Sequence, residues 1–75
     1  MKAYANIKGD SGVTGYEIIA DAILVEFGHS AIYKYSYKSA GKAVVEKMKA
    51  LAAKGRGLST YISQKVKDKY EAKIK

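Results

Sequence analysis

Lys65, Lys69 and Lys73 stand four residues apart, with Tyr61 continuing the row and Lys54 and Arg56 at one end of it. Side chains four apart on a helix share a face, so this spacing would make a flank of ammonium groups. Such a flank suits phosphate, and a tyrosine beside it suits an unpaired base. Like charges so placed oppose a helix by about 0.2–0.5 kcal/mol per pair. No acid lies on the row to offset them, because Asp68 and Glu71 fall further round. Lys42 and Lys49 would add charge from a preceding helix, diluted by Glu46 between them. The plain alternative is a solvated lysine face, since lysine forms helices well.

Other chemistries fail on their requirements. Gly9-Asp10-Ser11-Gly12 spells the local signature of a serine nucleophile. That reaction needs a histidine base and a carboxylate to orient it. The one histidine, His29, falls in an expected hairpin turn, so Gly9–Gly12 reads as a polar turn. Glu17 and Asp21 lie too far apart along a strand for an acid/base pair. There is no cysteine, and one histidine cannot make a histidine-rich metal site. Gly55-Arg56-Gly57 ahead of a helix could hold an anion on backbone amides and a guanidinium, although Gly-x-Gly between helices is ordinarily a connector. The expectation is a protein that is not an enzyme and takes no cofactor or metal.

The chain has 75 residues and a formal net charge of +7. Residues 1–33 hold two lysines against four acids, and residues 34–75 hold twelve basic residues against three. The first part is therefore −2 and the second +9, an asymmetry that suits a polyanionic partner. It also suits simple solubility. No stretch approaches the roughly 20 apolar residues of a membrane span. Met1-Lys2-Ala3-Tyr4 lacks the apolar region of a signal peptide. With no cysteine besides, the expected compartment is the cytoplasm.

These side chains need a scaffold, and the hydrophobic periods supply one. Tyr4–Ile7 could form a short edge strand, and Gly9–Gly15 reads as a loop from its turn residues. Tyr16–Ala20 and Ile23–Phe27 alternate as strands, with tight turns at Asp21-Ala22 and Gly28-His29. Ser30–Tyr37 is the next strand, with Ala31, Tyr33, Tyr35 and Tyr37 on one face and Ile32, Lys34 and Ser36 on the other. The period then changes to that of a helix. Ser39 is the expected N-cap, Val44, Val45, Met48, Leu51 and Ala52 make an apolar stripe, and Gly55 ends it. Ser59 or Thr60 caps a second helix, along which Leu58, Ile62, Val66, Tyr70 and Ile74 recur every four residues. The expected fold is α+β: a three- or four-stranded antiparallel meander followed by two helices packed on one face of the sheet. One small domain spans residues 1–75, with the sheet over 4–37 and helices over about 39–54 and 59–74.

The order of motifs resembles that of the KTSC domain. Ser11-Gly12-Val13-Thr14-Gly15-Tyr16-Glu17, Leu24-Val25-Glu26-Phe27 and Ile32-Tyr33-Lys34-Tyr35 are similar to its front half. Gly57-Leu58-Ser59-Thr60-Tyr61-Ile62, followed by Val66 and Tyr70, is similar to its closing segment. The likeness runs over about residues 11–70. It departs where this chain has Ser36-Tyr37-Lys38-Ser39 in place of the family's Val-Pro, and in a longer first helix. The resemblance implies a small α+β domain, often free-standing in bacteria and phages. Its occurrence at the C-terminus of some lysyl-tRNA synthetases hints at RNA by analogy.

Tyr33, Tyr35 and Tyr37 could be a stacking platform on an open sheet. The two helices need an apolar sheet face, however, so these tyrosines are expected to form the core wall with their hydroxyls reaching polar edges. Function is then expected on the basic helical side. The candidate nucleic-acid-binding residues are Lys54, Arg56, Tyr61, Lys65, Lys69 and Lys73, engaging RNA or a single strand without sequence preference. The alternative is a protein-interaction module, of the kind a phage or mobile element uses to modulate a host protein, through an apolar patch or a free sheet edge that would also allow a homodimer.

Overall fold

The structure, a computed structural model, describes residues 1–6 and 12–75. Among the described residues, an antiparallel sheet of five strands runs in the order β1-β2-β3-β4-β5. The strands are β1 (Lys2–Ala3), β2 (Val13–Ile19), β3 (Ala22–Phe27), β4 (Ala31–Ser36) and β5 (Ala72–Lys73). Between β4 and β5 come α1 (Tyr37–Ala40), α2 (Lys42–Lys54) and α3 (Leu58–Tyr61), the last continued by a π-helical turn over Ile62–Val66. This is the expected α+β meander with helices on the sheet.

Register decides which side chains meet the helices. Ile23 pairs with Tyr35, and Val25 with Tyr33 and Tyr16. Paired residues point to one face, so these five line the covered side. The helices answer with Val45, Met48, Ala52, Leu58, Ile62 and Val66, and Tyr4 and Val13 complete the core. Each large aliphatic side chain so buried contributes about 1.5–3 kcal/mol. Tyr35 is 2% exposed, and Tyr33 packs partly buried beside it. The tyrosine strand is thus the core wall at those two positions. Tyr37 is not on the strand: it opens α1 and is partly buried against the core.

Several boundaries differ from the sequence reading. The first strand is Lys2–Ala3 rather than Tyr4–Ile7; Tyr4 is a core residue. Ile7 and the Gly9–Ser11 part of the serine-type motif lie outside the described residues. β2 starts at Val13, inside the stretch expected to be a loop, with a shift of register between Val13 and Gly15. Gly15 lies in the strand, paired with Glu26, and crowding by its neighbours favours glycine there. A Cβ there would lie 3.0 Å from Glu26 Oε1 and 3.1 Å from the Lys2 carbonyl oxygen. Ala22 is in β3, not in the turn before it.

The helical half is also more broken than expected. Ser36, not Ser39, caps the first helix: its Oγ accepts from the Ser39 amide at 3.1 Å, and Ser39 Oγ accepts from the Ser36 amide at 3.1 Å. The two serines form a reciprocal capping box. The helix stops after one turn at Gly41 (φ 95°, ψ 144°), a conformation open essentially to glycine alone, and restarts as α2. Gly55 ends α2 in the left-handed conformation, as expected (φ 78°). The second helix does not run over 59–74. It ends at Val66, Lys67 turns away at φ 52°, and the chain returns to pair with β4.

Candidate nucleic-acid interface

That early ending redistributes the basic residues. Lys65 is exposed on the π-helical turn, Lys69 lies in the loop beyond it, and Lys73 is on β5, opposite Tyr33. The three do not form one helical row. A continuous helix would have placed three like charges in line and left the edge of β4 without partners. The chain instead gives that edge hydrogen bonds: the Glu71 amide donates to the Lys34 carbonyl and the Ile74 amide to the Ile32 carbonyl, at 2.6 and 2.7 Å. Lys73 Nζ lies 5.9 Å from the centre of the Tyr33 ring.

Lys54 and Arg56 do stay together. With Leu51 and Gly57 they line an open depression of about 430 Å³ at the α2–α3 connector. Its lining joins one apolar side chain, Leu51, to two cations. Lys54 also complements the negative end of the α2 dipole. Among the described residues, neither side chain has an ion-pair partner, and neither does Lys65. At the connector two backbone amides already have partners within the fold. That of Gly55 donates to the Leu51 and Ala52 carbonyls. The Leu58 amide, at the start of α3, donates to the buried hydroxyl of Tyr4 at 3.3 Å. Tyr61 is half-buried and packs against the core, so its ring serves the core first.

The Glu46 that dilutes the field is itself engaged. It accepts from the Tyr37 hydroxyl and pairs with Lys49 at 3.0 Å. The Tyr37 hydrogen bond, and then Lys49, hold the Glu46 carboxyl below its ordinary range, and the same bond pushes the Tyr37 hydroxyl up. Lys49 also donates to the Ala20 carbonyl at 3.2 Å, tying α2 to the β2–β3 turn. Lys49 is therefore occupied, while Lys54, Arg56 and Lys65 are among the cations that have no ion-pair partner among the described residues. Spacing alone gave no sign of this division, because it depends on which lysines reach a carbonyl across the fold.

His29 sits in its turn at φ 60°, with its side chain 81% exposed and Nδ1 3.8 Å from Glu26 Oε1. Among the described residues no cluster of histidines and acids could hold a metal ion. No helix among them is long and apolar enough to cross a membrane. Comparison with known protein families, curated proteins and solved structures returns no match.

The aromatic cluster on the covered face has a measurable signature. Burial, then the neighbouring Tyr33 and Tyr70, push the Tyr35 hydroxyl from 10.0 to about 12. An unfolded tyrosine keeps the lower value, so this contribution to stability is complete below about pH 10. It is lost as pH rises from there to about 12, where the folded state also ionises. Allowing for solvent screening, the loss is on the order of 1 kcal/mol. Ultraviolet titration of tyrosinate is expected to show late groups from Tyr35 and Tyr37, and Tyr35→Phe to remove one of them together with the corresponding fall in urea midpoint. An unchanged alkaline fall in Tyr35→Phe would place its cause elsewhere.

Proposed function

We propose that this chain is a small, non-enzymatic, KTSC-like module that binds RNA or single-stranded nucleic acid without sequence preference through its basic helical side. One observation carries the reading. From residue 37 to residue 66 the chain has seven basic residues and one acid, and that acid, Glu46, is already held by Tyr37 and Lys49. The helical side thus presents a field of one sign, with Lys54, Arg56 and Lys65 open to phosphate. Lys69 and Lys73 extend it from the C-terminal segment, and Tyr61 supports the core beneath. Nothing on it reads base edges, so affinity would come from counterion release and fall with salt.

Titration of a mixed-sequence RNA oligonucleotide at low and raised salt tests this. With three or four phosphate contacts, log K is expected to fall with log salt at a slope of about −2 to −3. The double substitution Lys54→Glu with Arg56→Glu is expected to weaken binding at least about ten-fold and to flatten the slope by about 1. No binding at low salt would end the proposal.

A second reading, a protein-interaction module, is favoured by the uncovered side of the sheet. Leu24 and Ile32 point away from the helices by alternation, and Ile74 beside them is 55% exposed. Capture of one protein partner, insensitive to the Lys54 and Arg56 changes, would favour it.

A further inference from the structure

We infer that Tyr70 is a stacking shelf for one unpaired base, at the edge where the helical layer stops. The inference rests on the nucleic-acid reading above and adds a contact that discriminates single strands from duplexes. Tyr70 is 38% exposed, one of the few large apolar side chains so open among the described residues. Its ring is nevertheless held in place. It meets Tyr33 edge-to-face at 4.7 Å between centres and 65° between planes, and Tyr35 at 6.2 Å and 88°. Neither of these rings lies parallel on it, and 38% of the residue stays open to solvent. Because the ring is fixed before a ligand arrives, a base that stacks on it does not have to order a mobile side chain.

Lysines flank the shelf along the chain, at positions 69 and 73, with Asp68 beyond the first of them. Lys69 precedes Tyr70 and is exposed. Lys73 brings its ammonium to 5.9 Å from the Tyr33 ring, within the same aromatic cluster. The nearest acid in sequence, Glu71, is drawn aside to Lys34, 3.7 Å away. A phosphate contact on either side of a stacked base is the arrangement by which sequence-tolerant single-strand binders work. A paired base has both faces covered by its neighbours and cannot use it. The simpler role, a lid on the Tyr33–Tyr35 cluster, predicts effects on stability and none on ligand choice.

Three variants decide. Tyr70→Leu keeps an apolar lid and removes the ring. It is expected to lose about ten-fold in affinity for a single-stranded RNA homopolymer while binding a duplex of equal length as before. Tyr70→Phe is expected to retain both affinities. Tyr70→Trp places the only tryptophan in a chain that has none. Its fluorescence is expected to be quenched by the single strand and unaffected by the duplex, a readout that holds even if Tyr70→Leu unfolds. Wild-type binding together with unquenched fluorescence in Tyr70→Trp would overturn the shelf and leave the basic side standing. Failure of the unsubstituted chain to bind RNA at low salt would end both.

Discussion

Leu58→Ala is expected to destabilise the fold by about 2–5 kcal/mol. The residue is 0% exposed, at the first position of α3, and belongs to the core that the sheet face and the helical segments share. Alanine is a good helix former, so the loss would come from apolar transfer and the cavity left behind rather than from helix propensity. The buried amide bond to Tyr4 is made by the backbone and survives the substitution. A chain of this size has roughly 4–11 kcal/mol of total stability, so the change removes a large part of it. Urea unfolding followed by far-ultraviolet circular dichroism should show a much lower midpoint with an unchanged slope. The same substitution at exposed Lys65 should move the midpoint by less than about 0.5 kcal/mol equivalent. Equal effects at both positions would mean that the helical layer does not pack as described.

The elements that local pattern could reveal are those whose pattern has one interpretation. Ile23, Val25 and Phe27 alternate with Leu24 and Glu26, and the strand they imply is found with Ala22 added. Gly55 has a left-handed C-terminal role and takes it. Gly15 misled because glycine is read as turn chemistry, whereas here it lets the Glu26 carboxylate and the Lys2 carbonyl approach a strand. Ser36 and Ser39 both carry capping chemistry. Only the place where β4 stops decides that Ser36 is the cap and Ser39 its partner.

The C-terminal segment was hidden for a different reason. Leu58, Ile62, Val66, Tyr70 and Ile74 keep a helical spacing to the end, and Lys67 carries no local signal for a turn. The decisive interactions are tertiary: the open edge of β4, and a place for Tyr70 against Tyr33 and Tyr35. The lysine row was legible as a cost, and the fold avoids that cost by breaking the row. The candidate interface changes with it, from a helical flank to a helical side with a separate aromatic edge. Residues 54 and 56 keep their expected proximity because both sit at one helix end.

Gly41 and Lys67 are two of the points where the backbone takes a positive φ to make this topology, and they should respond in opposite directions. Gly41 (φ 95°, ψ 144°) separates α1 from α2 while its carbonyl accepts the first α2 bond from Val45 at 3.0 Å. A Cβ at this position meets nothing within 4 Å, so Gly41→Ala tests backbone strain without a collision. The expected loss is about 1–3 kcal/mol. Lys67 holds φ 52° and ψ −120° with a side chain instead of a glycine. Lys67→Gly relieves that strain, against an unfolded-state entropy penalty of about 0.4–1 kcal/mol. A net gain of about 1 kcal/mol is expected. Urea midpoints measured on the two variants would therefore move apart. A gain from Gly41→Ala would mean that α1 and α2 prefer to run on as one helix. A loss from Lys67→Gly would mean that the turn into β5 does not hold the strained conformation, and that β5 is held to β4 by the hydrogen bonds of Glu71 and Ile74 alone.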